Sequence, residues 1–122
     1  MTQETEATAA TPPPTPAPTI HEAELASGPS GVVWYGPAID FDTAVARRQA
    51  GLDVVVRGGD INTNRTLAAA VEAAVGPRTR PQTPHRRAGP HALPHFHQLS
   101  RSPAGHCFYD TDNPAKKARK RP

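Results

Sequence analysis

Histidines and arginines are concentrated in residues 78–106, which contain five of the six histidines and five arginines but no acidic residue. Residues 95–97 of this stretch read His-Phe-His. In a β-strand, residues two positions apart project from the same face, so His95 and His97 are expected on one side and Phe96 on the other. Imidazoles titrate near neutral pH and are the usual general acids and bases of enzymes. The spacing therefore predicts an acid–base pair.

A second strand, predicted at 106–109, would bring His106 beside this pair if it forms a hairpin with a strand at 93–99. His85 or His91 could also approach from the preceding loop. Cleavage of an RNA phosphodiester needs a base for the 2′-hydroxyl, an acid for the leaving 5′-oxygen, and cations around the phosphate. The candidate catalytic residues are His95, His97 and His106, and the candidate phosphate contacts are Arg86, Arg87 and Arg101.

Two other interpretations of the histidines stay open. His95 and His97, with His106 or His91, would provide the three ligands of an open zinc site. Their spacing matches no zinc signature, however, and the nearest carboxylates follow the segment, at Asp110 and Asp112, so neither a metal nor another cofactor is predicted. Alternatively, the histidines are partly exposed loop residues without a chemical role.

The residues 57–65, Arg-Gly-Gly-Asp-Ile-Asn-Thr-Asn-Arg, form a second region of interest because backbone amides at a helix N-terminus can bind phosphate. They match neither GxGxxG nor the Walker pattern. The favoured interpretation is a glycine turn followed by a helix cap at Asp60 or Asn62. Cys107 is interpreted as a buried small hydrophobic residue, since strand alternation separates it from His106.

The elements that must position these residues follow from hydrophobic periodicity and from glycine and proline boundaries. They are a strand at 32–35, a helix at 41–50, a strand at 52–57 and a helix at 62–75. This order predicts a βαβ unit with a parallel strand pair. The predicted fold class is α/β or α+β, a small single domain with a βαβα unit followed by a C-terminal β-hairpin.

Composition sets the predicted boundaries of this domain. Fifteen prolines, nine glycines and 36% hydrophobic residues leave room for one small core. Residues 1–30 include the Pro/Thr-rich run 11–19 and are predicted to be a disordered leader. The globular domain is expected at 31–110, and 111–122 are predicted to form a basic disordered tail.

Charge is distributed unevenly along the chain. Residues 1–60 contain three arginines and eight Asp or Glu, a net of −5, whereas residues 61–122 contain eleven Lys or Arg and three acids, a net of +8. This asymmetry favours RNA or another polyanion as partner. No apolar run approaches a membrane span and no signal peptide is evident, so a cytoplasmic protein without a membrane partner is expected, although export by another route stays open.

Residues 88–97, Ala-Gly-Pro-His-Ala-Leu-Pro-His-Phe-His, and 104–109, Ala-Gly-His-Cys-Phe-Tyr, resemble the C-terminal toxin domains of bacterial polymorphic toxin systems. In several such families, two strands of this kind carry the histidines of metal-independent RNases or nucleases. The resemblance implies a phosphodiester-acting domain, for which an inhibitory partner protein is one conceivable partner. It is confined to these two runs, and residues 32–75 match no such family.

A competing class is a non-enzymatic nucleic-acid-binding or protein-interaction module, in which the histidines are incidental. Phosphate would then be contacted by the arginines and by the basic tail, whose cations are Lys116, Lys117, Arg119, Lys120 and Arg121. Binding by such contacts weakens steeply with salt and needs no histidine. A structural domain of a larger assembly is a third class, and the sequence indicates no oligomeric state.

Overall fold

A six-stranded β-sheet with two α-helices organises residues 16–84 and 86–122, the part of the chain that this computed structural model describes. The strands are β1 (Thr19–Leu25), β2 (Val33–Ile39), β3 (Val54–Arg57), β4 (His95–Phe96), β5 (Cys107–Tyr109) and β6 (Arg119–Lys120). The helices are α1 (Phe41–Gln49) and α2 (Ile61–Val75), and a short 3₁₀ helix spans Arg86–Ala88. The sheet order is β4-β5-β3-β1-β2-β6 with parallel and antiparallel pairs, which confirms an α+β domain.

Strand β1 lies inside the sheet, although residues 1–30 were predicted to be disordered. It pairs antiparallel with β2 on one side and with β3 on the other, and Ile20 and Ala23 are buried. The prediction of disorder is wrong for Thr19–Leu25, because three scattered apolar side chains among polar ones are too weak a pattern, and both backbone partners come from later in the chain. Residues 1–15 of the predicted leader lie outside the described residues.

The elements β2, α1, β3 and α2 follow one another as the sequence predicted. The expected parallel pair of β2 and β3 is not a pair of neighbours, however, because β1 lies between them. β2 also continues through Gly36 and Pro37 at a bulge, where Glu22 of β1 faces two residues. Proline is tolerated at such a position because its missing N–H takes no ladder hydrogen bond there.

Both helices begin with an aspartate cap. Asp40 Oδ1 accepts a hydrogen bond from the Thr43 N–H, and Asp60 Oδ1 accepts one from the Thr63 N–H, each at 2.8 Å. Hydrogen bonding to Thr43 and Thr63 lowers the pKa of the respective carboxyls. The described part of the chain contains no helix long and apolar enough to cross a membrane.

The Gly58-Gly59 turn therefore leads into a capped helix, as the favoured interpretation predicted. The amide side chain of Asn64 closes the turn by bonding both the N–H and the carbonyl of Gly59, each at 3.0 Å. Asp112 Oδ1 accepts a bond from the Ile61 N–H at 3.0 Å. The backbone N–H groups of Ile61 and Thr63 could have bound phosphate, but they donate instead to the carboxylates of Asp112 and Asp60.

Alternation along β3 places apolar side chains on both faces of the sheet, and all three valines are fully buried. Val54 and Val56 face the helices, together with Ala68 of α2, Phe96 and others. Val55 faces the opposite side in a second cluster with Ala23, Val33, Leu93, Phe108 and Ala118. Loop and tail residues help to cover this second face, whereas α1 and α2 cover the first.

The predicted disordered tail is largely ordered. β6 pairs parallel with β2, and Ala118 just before it is buried. The buried carboxylate of Asp110 accepts a hydrogen bond from the Ala118 N–H at 2.7 Å. The prediction for 111–122 is wrong because strand pairing, tertiary hydrogen bonds and an apolar contact hold a segment whose composition is that of a solvated chain.

Arg48 and Glu72 form a buried ion pair between α1 and α2. Arg48 Nε lies 2.8 Å from Glu72 Oε1 and Arg48 Nη2 lies 3.1 Å from Glu72 Oε2, with both side chains fully buried. The guanidinium also donates to the carbonyls of Leu52, Ala104 and Gly105. The pair therefore joins both helices to the loop that precedes β5.

Replacement of Arg48 tests this connection. We expect Arg48→Met to lower the free energy of unfolding by about 3 to 5 kcal/mol, because it leaves the buried Glu72 charge unpaired. Urea denaturation measures the change, with the exposed Arg80→Ala as control, expected within about 0.5 kcal/mol of the wild type. Arg48→Met/Glu72→Leu should be more stable than Arg48→Met. A double variant that is less stable would contradict this account.

Candidate histidine–aspartate site

The three predicted catalytic histidines lie together. β4 and β5 pair antiparallel, as the predicted hairpin required, with His95 opposite Phe108. The His95 and His106 rings meet edge to face with centroids 4.8 Å apart, and the His97 ring is 5.9 Å from His95. These residues, called the histidine cluster below, occupy the sheet face opposite the helices.

His95 and His106 line a cavity of about 300 Å³, called the histidine cavity below. Its other walls are mostly apolar and include Leu25, Gly31, Ala88, Leu93 and Phe108. His97 is not among the described lining residues and is only 8% exposed. Its Nδ1 donates to the Gln98 carbonyl at 2.8 Å, which orients the ring behind His95.

Burial makes His95 a weak acceptor of protons. Desolvation is the largest cause and lowers its pKa from 6.5 to about 4, and the charges of His106, His97 and Arg101 act in the same direction. A long contact of 3.5 Å from Nδ1 to the Leu93 carbonyl opposes the shift. The His95 imidazole is therefore neutral at pH 7.

Asp53 adds a carboxylate to the site that sequence reasoning missed. Asp53 Oδ1 accepts a hydrogen bond from the backbone N–H of His106 at 2.7 Å. The same oxygen lies 3.4 Å from the ring nitrogen Nδ1 of His106. The parallel register of β3 and β5, in which Val54 pairs with Cys107, creates this proximity. Asp53 precedes His106 by 53 positions. Its one local signal is that it interrupts an otherwise apolar run.

The predicted phosphate contacts separate into different places. Arg101 is close enough to His95 for its charge to lower the pKa of that histidine. Arg87 lines a larger cavity together with Arg65 and Lys116. Contrary to the prediction, it therefore does not lie with the histidine cluster. Arg86 begins the short 3₁₀ helix, and its side chain lies outside the described residues, as does all of His85.

The remaining candidates do not join the cluster. His91 donates from Nδ1 to the Ala115 carbonyl at 2.8 Å. Cys107 is fully buried, its thiol contacts the Ala68 carbonyl and burial raises its pKa, which confirms the interpretation as a small hydrophobic residue. Within 16–84 and 86–122, no three His, Cys, Asp or Glu residues are grouped to hold a metal ion.

Gly105 connects the buried ion pair to the site. Its φ of 98° lies in the left-handed region, and a Cβ added there would lie 2.6 Å from Arg48 Nη1 and 2.9 Å from the Gly51 carbonyl oxygen. Both the backbone conformation and the available space thus require glycine. His106 follows directly, so this glycine determines how the chain enters β5.

The fold and the site together define a small α+β domain with two histidines at an apolar cavity and an aspartate beside one of them. No known family model matches the chain, and neither curated proteins nor solved structures contain a match to it. Function must therefore be inferred from the site's own geometry.

Substitution of Gly105 should separate two costs of an added side chain: the strain of a left-handed backbone and the steric conflict with Arg48 and Gly51. We expect Gly105→Ala to cost about 1 to 3 kcal/mol of stability from the left-handed backbone alone, with a further loss from the contacts at Arg48 and Gly51. Gly28→Ala is the matched control, since Gly28 has a φ of 90° but nothing within 4 Å of an added Cβ. Chemical denaturation of both variants should show a larger loss for Gly105→Ala, and equal losses would refute the steric contribution.

The low pKa of His95 makes stability depend on pH. Because the folded value of about 4 lies below the unfolded value near 6.5, the unfolded chain binds more protons between them. The contribution of neutral His95 is complete above about pH 6.5 and is lost as pH falls towards 4. NMR titration should show the His95 ring neutral at pH 5.5, and His95→Gln should lose less stability than the wild type between pH 7 and 5. A His95 ring that titrates near 6.5 would contradict this.

Proposed function

We propose that this domain cleaves RNA, or a related phosphodiester, without a metal ion, with His95 as general base and His106 as general acid. The observation that carries the proposal is the edge-to-face contact of these two rings at the histidine cavity, with Asp53 beside His106. Two imidazoles at one cavity supply the base and the acid that such a reaction needs.

His95 is in the unprotonated form that a general base requires at pH 7, although its pKa of about 4 makes it a weaker base than an unperturbed imidazole. In the proposed step it takes the proton from the 2′-hydroxyl, whose oxygen attacks the phosphorus. The bond from phosphorus to the 5′-oxygen breaks, and that oxygen receives a proton from His106. The products are a 2′,3′-cyclic phosphate and a free 5′-hydroxyl, so one proton is taken up and one is delivered.

Asp53 suits the role of a positioning residue for His106. A carboxylate 3.4 Å from Nδ1 directs the other ring nitrogen away from Asp53 and offsets the charge of an imidazolium. The contact is longer than a normal hydrogen bond, and His106 Nδ1 is buried without another partner among the described residues. Such contacts often tighten when substrate binds.

Positive charge near His95 and in the C-terminal half of the chain favours a phosphate substrate. Arg101 lies near His95, and residues 61–122 carry a net charge of +8. The runs 88–97 and 104–109, which resemble toxin nuclease domains, carry His95, His97 and His106, so that resemblance supports the same reaction class. His97 takes the role of a positioning residue in this proposal, because its ring is buried behind His95.

An RNA cleavage assay tests the proposal. The purified chain, incubated with labelled single-stranded RNA between pH 5 and 8, should cleave equally with and without EDTA. His95→Ala and His106→Ala should each lower the rate by about 10²- to 10⁴-fold, because each removes one proton-transfer group. Asp53→Asn should lower it less and change the pH profile. His91→Ala is the matched control and should retain wild-type activity.

Two outcomes would overturn this function. Absence of cleavage across the whole pH range, or loss of cleavage with EDTA, would exclude metal-independent chemistry. RNA binding that weakens with salt, shows no turnover in the wild type and is unchanged in His95→Ala/His97→Ala would instead favour the non-enzymatic binding module. Deletion of 115–122 is unsuitable for that comparison because it would remove β6 and the buried Ala118.

A further inference from the structure

A second cavity, of about 910 Å³, lies on the helix side of the sheet. Its walls include the first residue of α2, Ile61, and the ring of Tyr109, both of which belong to the core that packs on the helices. It is called the proline-lined cavity below, because its walls include Pro81, Pro84, Pro90 and Pro94. Pro84 lines this cavity and the histidine cavity, so the two are close neighbours.

The charges at the proline-lined cavity have one sign. Arg65, Arg87 and Lys116 line it, and the described lining residues include no Asp or Glu. Cations from three separate parts of the chain, which are α2, the 3₁₀ helix and the tail, therefore converge on one space. Mutual repulsion of such cations is relieved when an anion binds between them.

Local contacts hold two of these cations in place. The Arg65 side chain hydrogen-bonds the Tyr109 hydroxyl and also donates to Asn62 Oδ1. Lys116 Nζ donates to the carbonyls of Pro90 at 3.1 Å and Ala92 at 3.4 Å. An ammonium group has three donors, so one remains for a ligand. Neutral partners position both side chains without cancelling their charge.

Most of the other lining residues are apolar. Four proline rings, Ile61 and the Tyr109 ring offer surfaces for a planar apolar group, while the hydroxyl of Thr83 adds hydrogen-bonding capacity. A volume of about 910 Å³ exceeds the needs of an inorganic ion and lies within the range of pockets for small organic ligands. Charge and shape together fit a phosphate attached to an aromatic ring system.

We propose that the proline-lined cavity binds a nucleotide, with its phosphate between Arg65 and Lys116 and its base against the proline wall. This site is separate from the histidine cavity and does not depend on the proposed cleavage. The nucleotide can be a free mononucleotide or one unit of an RNA strand, since both present the same phosphate and base.

Calorimetric titration of the full chain with adenosine 5′-monophosphate, adenosine and inorganic phosphate tests this site. The monophosphate should bind at least about 10-fold more tightly than either fragment, because only it occupies both halves of the cavity. Arg65→Ala and Lys116→Ala should each weaken binding by about 10-fold through loss of a charge-assisted hydrogen bond. Lys120→Ala is the matched control, since exposed Lys120 is not among the described lining residues, and should bind like the wild type.

Other arms of the experiment identify the source of the nucleotide and separate the two sites. A 5′-phosphorylated deoxytetranucleotide, which has no 2′-hydroxyl to attack, should bind more tightly than the monophosphate if the cavity holds a strand, and equally if it holds a free nucleotide. His95→Ala/His106→Ala should retain monophosphate binding even though cleavage is lost. Equal weakening by Lys120→Ala, no weakening by Arg65→Ala and Lys116→Ala, or NMR shifts confined to His95 and His106 would overturn the proposal.

Discussion

The buried ion pair of Arg48 and Glu72 is the constraint on which the rest of the structure depends. Removal of two charges from water is costly, and only excellent geometry offsets that cost. Here the guanidinium bonds both carboxylate oxygens and also the carbonyls of Leu52, Ala104 and Gly105. Those carbonyls belong to the segments that enter β3 and β5. The same interaction that holds the two helices together therefore determines where the strands of the site begin.

The site inherits its geometry from that arrangement. Because β3 and β5 are parallel and Val54 pairs with Cys107, the residues that directly precede these strands, Asp53 and His106, are neighbours. The hairpin partner β4 then brings His95 against His106 on the face away from the helices. Apolar walls remove water from His95 and lower its pKa, so the electrostatics of the histidine cluster follow from the packing around it.

The basic half of the chain does not act as one surface. Arg101 lies near the histidine cluster, whereas Arg65, Arg87 and Lys116 face the proline-lined cavity on the other side of the sheet. The positive charge is thus divided between the surroundings of the histidine cluster and the proline-lined cavity. Three cations meet at the proline-lined cavity, although the net charge of the whole chain is only +3.

Local sequence determined the elements whose signals are contiguous: both helices with their aspartate caps, the buried valine strand, the hairpin, and the shared face of His95 and His97. Tertiary structure alone decided the rest. β1 and β6 form because the open edges of other strands accept them, and Asp53 reaches His106 through a strand pairing across 53 positions. Periodicity reports which face a side chain occupies, but it contains no information about which distant segment lies beside it. The physical reason is that strand partners are chosen by backbone pairing and burial across the whole domain.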